Sequence, residues 1–163
     1  LFIYLLNNFD FHADKFDSDN NPIQLIDQVS GDMILFEVSY NIIEFAFAKA
    51  SRIAEVEERL GTYLSMIQPY LRDHNHELQG WGVNPNWAKN DNRPVKSPRY
   101  KMLMNFLELS KAKNDPFFHD YPEYGSFIYG SQVQLDVSKT SYSRVLNAFN
   151  QIEGPKAVLL ANS

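Results

Sequence analysis

The chain has 163 residues, 44% of them apolar and 14% aromatic, a globular composition long enough for one sizeable core. Its 20 acidic and 15 basic side chains leave a net charge of −5 with no basic cluster, which speaks against a general phosphate-backbone binder. There is no cysteine, which excludes disulfides, a thiol nucleophile and Cys-ligated zinc; the composition suits a reducing, cytoplasmic setting.

The opening run "LFIYLL", Leu1 to Leu6, is too short for a membrane span, and no basic stretch precedes it. The chain starts without Met and stops at "LLANS", directly after an apolar run. We therefore expect a single α+β domain over 1–163, cut from a larger polypeptide. "FDSDNNPI", Phe16 to Ile23, clusters Asp, Asn and Pro between apolar segments and predicts a turn. Two short strands follow, Met33 to Ser39 and Ile42 to Ala48, broken near Tyr40 and Asn41. The second puts Ile43, Phe45 and Phe47 on one face and Glu44, Ala46 and Ala48 on the other.

Ser51 is placed to cap a helix running to about Pro69, with Ile53, Val56, Leu60, Leu64 and Ile67 at helical spacing. The charge run Glu55, Glu57, Glu58 and Arg59 reads as its solvated face. "HELQGWGVNP" reads as a strand, ending in a polar loop from Asn84 to Pro98. Ser97-Pro98 starts another helix, with Pro at the first helical position and Tyr100, Leu103, Met104 and Leu107 inward. "NDPFFHDYPEYG" is a turn-rich aromatic connection. "GSQVQLDVS", Gly130 to Ser138, alternates with period two and predicts a half-buried strand, Val133, Leu135 and Val137 on one face and Gln132, Gln134 and Asp136 on the other. A helix near Ser141 to Ile152 follows, with Val145, Leu146 and Phe149 inward. "KAVLLA", Lys156 to Ala161, reads as a final buried strand. Strands and helices alternate loosely, without Gly-rich dinucleotide turns, which favours α+β.

Glu37 and Glu44 are lone acids in strands of otherwise apolar or small residues. A buried carboxylate needs neutralising, and a hard cation such as Mg²⁺ does this well. The alternative is a solvent-facing glutamate or one paired with lysine. Gln132, Gln134 and Asp136 offer donors and acceptors together, which suits a ligand carrying both carboxylate and amine; an exposed strand face would read the same way. His74 and His76, with Glu77 beside them, would share a strand face and could hold zinc, but no third ligand stands at suitable spacing, and surface histidines are the simpler reading. His119-Asp120 has the same status. No GxSxG, GxxxxGK[ST] or GxGxxG occurs.

Four stretches in order resemble the glutamate–cysteine ligase family. "GWGVNP…SPRYKMLMNFL" is similar to that family's G-x-G-x-x-P strand end followed by p-x-x-R-Y-x-x-M entering a helix. "GSQVQLDVS" resembles its S-V-Q-V-N-L-D or S-T-Q-V-H-V-D strand. "QIEGPKAVLLANS" resembles the helix end and strand closing with A-L-F-A-N-S. "FEVSYNIIEFA" resembles D-F-S-E-x-x-L-E-x-I, with Glu37 at the Asp and Glu44 at the Glu seven residues later.

The resemblance implies a curved, mostly antiparallel, funnel-like sheet with helices on its outer face. It implies an ATP-dependent ligation of the γ-carboxylate of glutamate to the amine of cysteine, or of another amine, through an acyl phosphate; this would be the first step of glutathione synthesis. It implies Mg²⁺, with Glu37, Glu44 and Gln132 as ligands or as holders of the substrate amino group. Gln134 falls at a family Asn or His, and Arg99 and Tyr100 at its R-Y pair. Tyr129 and Gly130 replace small residues beside the amine-substrate pocket. The partners implied are small molecules, with no nucleic acid and no membrane. The family's first-strand E-x-E metal motif is missing, with Asp10 and His12 the nearest substitutes. That departure leaves open a non-catalytic relative that binds an amino-acid-like ligand or serves as an assembly module.

Overall fold

The computed structural model describes residues 1–112, 125–126 and 128–160, and the backbone alone at 110–112. Its elements run α1 (Phe2–Asn8), β1 (Phe11–Phe16), β2 (Pro22–Asp27), β3 (Met33–Phe36), β4 (Ile43–Ala46), α2 (Ile53–Asp73), α3 (Pro98–Ala112) and α4 (Tyr142–Leu160). The architecture is α+β, as expected. The four strands form one antiparallel sheet in the order β1-β2-β3-β4. Contacts divide the chain into two units, Leu1–Ile128 and Tyr129–Ser163.

In the first unit the sheet has two unlike faces because its strands alternate. Ala13, Leu25, Ile34 and Phe45 stand opposite one another across the four strands. Leu25 and Ile34 are fully buried in the core, together with Phe2 and Leu5 of α1, Phe11, and Tyr63 and Ile67 of α2. Both helices therefore cover this face. The α2 stripe runs through Tyr63, an inward aromatic that the aliphatic spacing had passed over. Its ring stacks on Phe45 and Phe47, at centroid distances of 6.1 and 6.4 Å.

One buried carboxylate holds the sheet to α2. Asp32, 1% exposed, accepts from Arg59 Nη1 (2.8 Å), Tyr63 Oη (2.9 Å) and the Ala48 amide (2.6 Å). It thus ties the β2–β3 turn, the chain after β4 and the helix at one point. Gly31 beside it takes φ +76°, which glycine adopts without strain. Burial, together with the Asp32 bond, pushes the Tyr63 phenol well above its ordinary range, so it stays a donor.

Several boundaries differ from expectation. The helix after Ser51 runs on to Asp73, with Pro69 inside it. Ser51 does not cap it with its hydroxyl; the N-cap is Arg52, and Glu55 in the first turn accepts from the Ser51 amide (3.1 Å) and from Arg52 Nε (3.0 Å). "HELQGWGVNP" is not a strand. The Gln68 amide of α2 pairs with both backbone groups of Leu78 (2.9 and 3.3 Å), replacing a ladder, and only Val83 makes an isolated bridge, to Ile128. The α3 start is as expected: Pro98 opens the helix, and the Tyr100 amide donates to Ser97 Oγ (3.4 Å), with Tyr100 and Leu107 buried.

The second unit overturns two strand expectations. Gly130 to Ser138 lies outside any ladder among the described residues, and Val133 is 81% exposed. Alternation specifies a strand only where a neighbouring strand accepts its hydrogen bonds. Lys156 to Leu160 continues α4, which takes in Pro155 and leaves Val158, Leu159 and Leu160 exposed. A short apolar run reads the same in a strand and in a helix. Leu146 and Phe149 are likewise half exposed rather than inward. The aromatic connection Asn114 to Tyr124, with His119-Asp120, and the last residues Ala161 to Ser163 lie outside the described residues.

Removing the Asp32 carboxylate strands a part-buried guanidinium and two buried donors. We expect Asp32→Ala to lower the unfolding free energy by about 3 kcal/mol or more, measured as a drop in the urea midpoint. Tyr63→Phe, which loses one donor and leaves the ion pair, is expected to cost about 1 kcal/mol.

Candidate functional site

The second face of the sheet carries the polar side chains. Leu35 stands opposite both Gln24 and Glu44, and Met33 opposite both Ile26 and Ala46. The register slips in β1 between Ala13 and Lys15, so two residues there meet one on β2. Both turn to the same partner: Gln24 Nε2 donates to Asp14 Oδ2 (2.7 Å), and Lys15 Nζ donates to Gln24 Oε1 (2.9 Å). Gln24 is 5% exposed and fully engaged.

Glu37 follows β3 directly, and its amide donates to the Ile42 carbonyl (3.2 Å). It therefore stands diagonal to Glu44 across the hairpin, within reach of a cross-strand contact. Burial first, then repulsion by Glu37, raises the Glu44 carboxyl above its ordinary 4.5; the Arg99 guanidinium opposes this from the first turn of α3. Two acids and one base expected from separate stretches of sequence thus act on one place.

The hairpin turn that sets this geometry is anchored from three sides. Tyr40 Oη donates to Asp17 Oδ2 (2.7 Å) and accepts from the Lys96 amide (3.2 Å). Burial pushes Asp17 up, but the Tyr40 hydroxyl and the Asn21 and Asp19 amides outweigh it and hold the carboxyl at about 2. Asn41 Nδ2 donates to the Asp91 carbonyl. Val38 takes φ +54°, a left-handed conformation that a β-branched residue rarely adopts. The Val95 amide holds it there by donating to the Val38 carbonyl (2.7 Å). The segment 94–97 that restrains this turn leads straight into α3 and Arg99.

Tyr100 is buried, with Arg99 Cζ 5.5 Å from its ring centroid. Tyr129, Gln132 and Gln134 belong to the second unit, and the two glutamines are exposed. His12 lies on β1, opposite Ile26 on the polar face, while Asp10 precedes the strand and its carbonyl accepts from Gln28. His74 and His76 share no strand; they follow the end of α2, with Nδ1 of each against a backbone carbonyl, Tyr70 (2.7 Å) and His74 (2.6 Å). Among the described residues no cluster of three His, Asp or Glu side chains stands ready for a metal. Asp14, Lys15 and Gln24 are the polar-face residues that sequence reasoning passed over. The alternation Ile23, Leu25 against Gln24 was the signal for them.

A half-buried acid held protonated above its ordinary range makes the fold less stable as pH rises through that range. The native state keeps the proton longer than the unfolded chain, so the penalty is absent below 4.5 and complete once Glu44 ionises. We therefore expect Glu44→Gln to raise the melting midpoint by about 2–5 °C near pH 8, and by little near pH 4, followed by circular dichroism.

No protein-family model, curated protein or solved structure matches this chain.

Proposed function

We propose that this chain is part of an ATP-dependent carboxylate–amine ligase of the glutamate–cysteine ligase type. One observation carries the reading: Glu37, directly after β3, and Glu44 on β4 stand diagonal across the hairpin on the polar sheet face, with the Arg99 guanidinium acting on Glu44. In this reading the sheet belongs to a larger funnel-like, curved one, and the protein works in the cytoplasm.

The chemistry explains why such a pair is useful. The γ-phosphoryl group of ATP passes to a γ-carboxylate oxygen of glutamate, giving an acyl phosphate and ADP. The amine nitrogen of cysteine, or of another acceptor, then attacks the acyl carbon; the bond from that carbon to the bridging oxygen breaks, the oxygen leaves as part of phosphate, and the nitrogen loses a proton. Mg²⁺ supplies charge neutralisation for the transferring phosphoryl group. Two adjacent carboxylates that repel each other fit such an ion, because Mg²⁺ commonly takes one or two protein carboxylates and completes its shell with water and phosphate oxygens. Glu37 and Glu44 would hold it. By the resemblance, Gln132 of the second unit falls at a metal-ligand position, and Gln134 and Tyr129 at substrate-binding positions. Arg99, exposed at the start of α3, offers a forked donor set for a carboxylate or phosphate, with Tyr100 packing beneath it.

A second reading rests on β1. Its polar-face residues are His12 and Asp14 in place of the paired acids that the resemblance implies, and Asp14 is already engaged by Gln24. A binding module that retains the acid pair without turnover would have this arrangement.

The test uses the full natural polypeptide that carries this sequence. We expect ADP release that depends on glutamate and an amine together, falling by about 100-fold in Glu44→Gln, as for loss of one electrostatic stabiliser. ADP release indifferent to both substrates, or unchanged in Glu44→Gln, would refute the ligase assignment. Glutamate binding without ADP release would select the binding-module reading. The isolated 163-residue chain is expected to release no ADP in the same assay.

A further inference from the structure

We propose that His74 and His76 form a two-imidazole site for a divalent transition metal such as Cu²⁺ at the C-terminal end of α2. The site involves neither residue of the acid pair and does not depend on the ligase reading. Its frame is the way the helix stops. Asn75 takes φ +59°, a left-handed conformation that asparagine adopts more readily than most residues. The Asn75 amide donates to the Arg72 carbonyl (3.0 Å) and the His76 amide to the Leu71 carbonyl (2.8 Å). These two bonds are the Schellman closure of a helix.

This closure sets both rings beside one residue. In a Schellman closure the side chain at the position of His76 commonly meets the one at the position of Leu71. His74 stands three residues after Leu71 and four after Tyr70, so it faces the same side of the helix. Its ring stacks on that of Tyr70 at a centroid distance of 4.2 Å. His76 Nδ1 lies 2.6 Å from the His74 carbonyl oxygen, which keeps the second ring against the first residue. The spacing of two that suggested a shared strand face thus brings the histidines together at a helix end instead.

The same hydrogen bonds decide which ring nitrogens are available. Nδ1 of His74 and of His76 each face a backbone carbonyl oxygen. A carbonyl oxygen only accepts, so each Nδ1 carries the proton and each neutral ring keeps its bare lone pair on Nε2. One nitrogen donating to a backbone carbonyl while the other stays bare is the usual state of a metal-ligating histidine, because it fixes both tautomer and ring orientation. Both residues are exposed, which leaves room for water to complete the shell. Imidazole suits Cu²⁺, Ni²⁺ and Zn²⁺, with Cu²⁺ held most tightly, whereas Mg²⁺ prefers oxygen. Asp73 and Glu77, exposed on either side in sequence, set two negative charges against the one positive charge of Arg72.

The test is a Cu²⁺ titration of the full chain followed by nuclear magnetic resonance. We expect substoichiometric Cu²⁺ to broaden the resonances of residues 71–77 first, and excess Mg²⁺ to leave that broadening in place. His74→Gln and His76→Gln should each weaken Cu²⁺ binding at this end by about tenfold or more, since even losing a group that only orients a metal ligand costs that much. Neither side chain belongs to the buried core, so both variants should keep the circular dichroism spectrum of the unaltered protein. Long-range proton–nitrogen correlation of the metal-free protein reads the tautomers independently: both neutral rings should carry their proton on Nδ1. Broadening that starts elsewhere, an affinity unchanged by either substitution, displacement by Mg²⁺, or a neutral ring protonated on Nε2 would each overturn the proposal.

Discussion

The fold of the first unit depends on burying one charge well. Asp32 sits at 1% exposure with three donors, one of them a guanidinium. A buried carboxylate with fewer partners would cost more than the surrounding apolar contacts return. Because its donors come from α2 and from the chain after β4, satisfying Asp32 fixes which way the helix crosses the sheet. Arg59 and Tyr63 are one turn apart, so both reach it only if that face of α2 is turned inward. Leu25, Ile34 and Ile67 can then close the core beneath.

That choice of inner face decides what the outer face is free to do. Every strand residue not pointing at α1 and α2 points to the side where Asp14, Lys15, Gln24 and Glu44 collect. The β1 irregularity adds one extra polar side chain to this face and consumes it at once on Gln24. The far end stays chemically unsettled, because burial and then the neighbouring Glu37 raise the Glu44 carboxyl above its ordinary range. A closed polar network at one end and an open acid pair at the other divide the face into a structural and a chemical half.

Legibility in the sequence followed the physical range of each signal. The hairpin of β3 and β4, the alternation that separates Phe45 from Glu44, and the Ser97-Pro98 helix start were readable because they are set within a few residues. Glu37 and Glu44 were singled out as lone acids among apolar neighbours, and that contrast is local too. Tyr63 was passed over because its role depends on Asp32, far away in sequence. Gly130 to Ser138 and Lys156 to Leu160 were misread for a related reason. Alternation and short apolar runs describe what a segment could pair with, and only the presence of a neighbour decides whether it does. The stretch at Leu78 shows the same effect from the other side, since a glutamine on α2 took the place of the missing strand.

The left-handed Val38 gives the acid pair an owner outside its own hairpin. A β-branched residue held in that region stores on the order of 1–3 kcal/mol of backbone strain. The Ser39 amide, donating to the Glu37 carbonyl across Val38, opposes that strain from inside the hairpin, and the Val95 amide opposes it from outside. Excised as a peptide, residues 33–46 would keep the inner bond and lose the outer one. The geometry of the acid pair is thus shared between its own hairpin and the segment 94–97. Any event that lifts this segment, whether a proteolytic nick or a ligand wedged beneath it, would take away one of the two restraints on the turn between the carboxyl groups without touching either one.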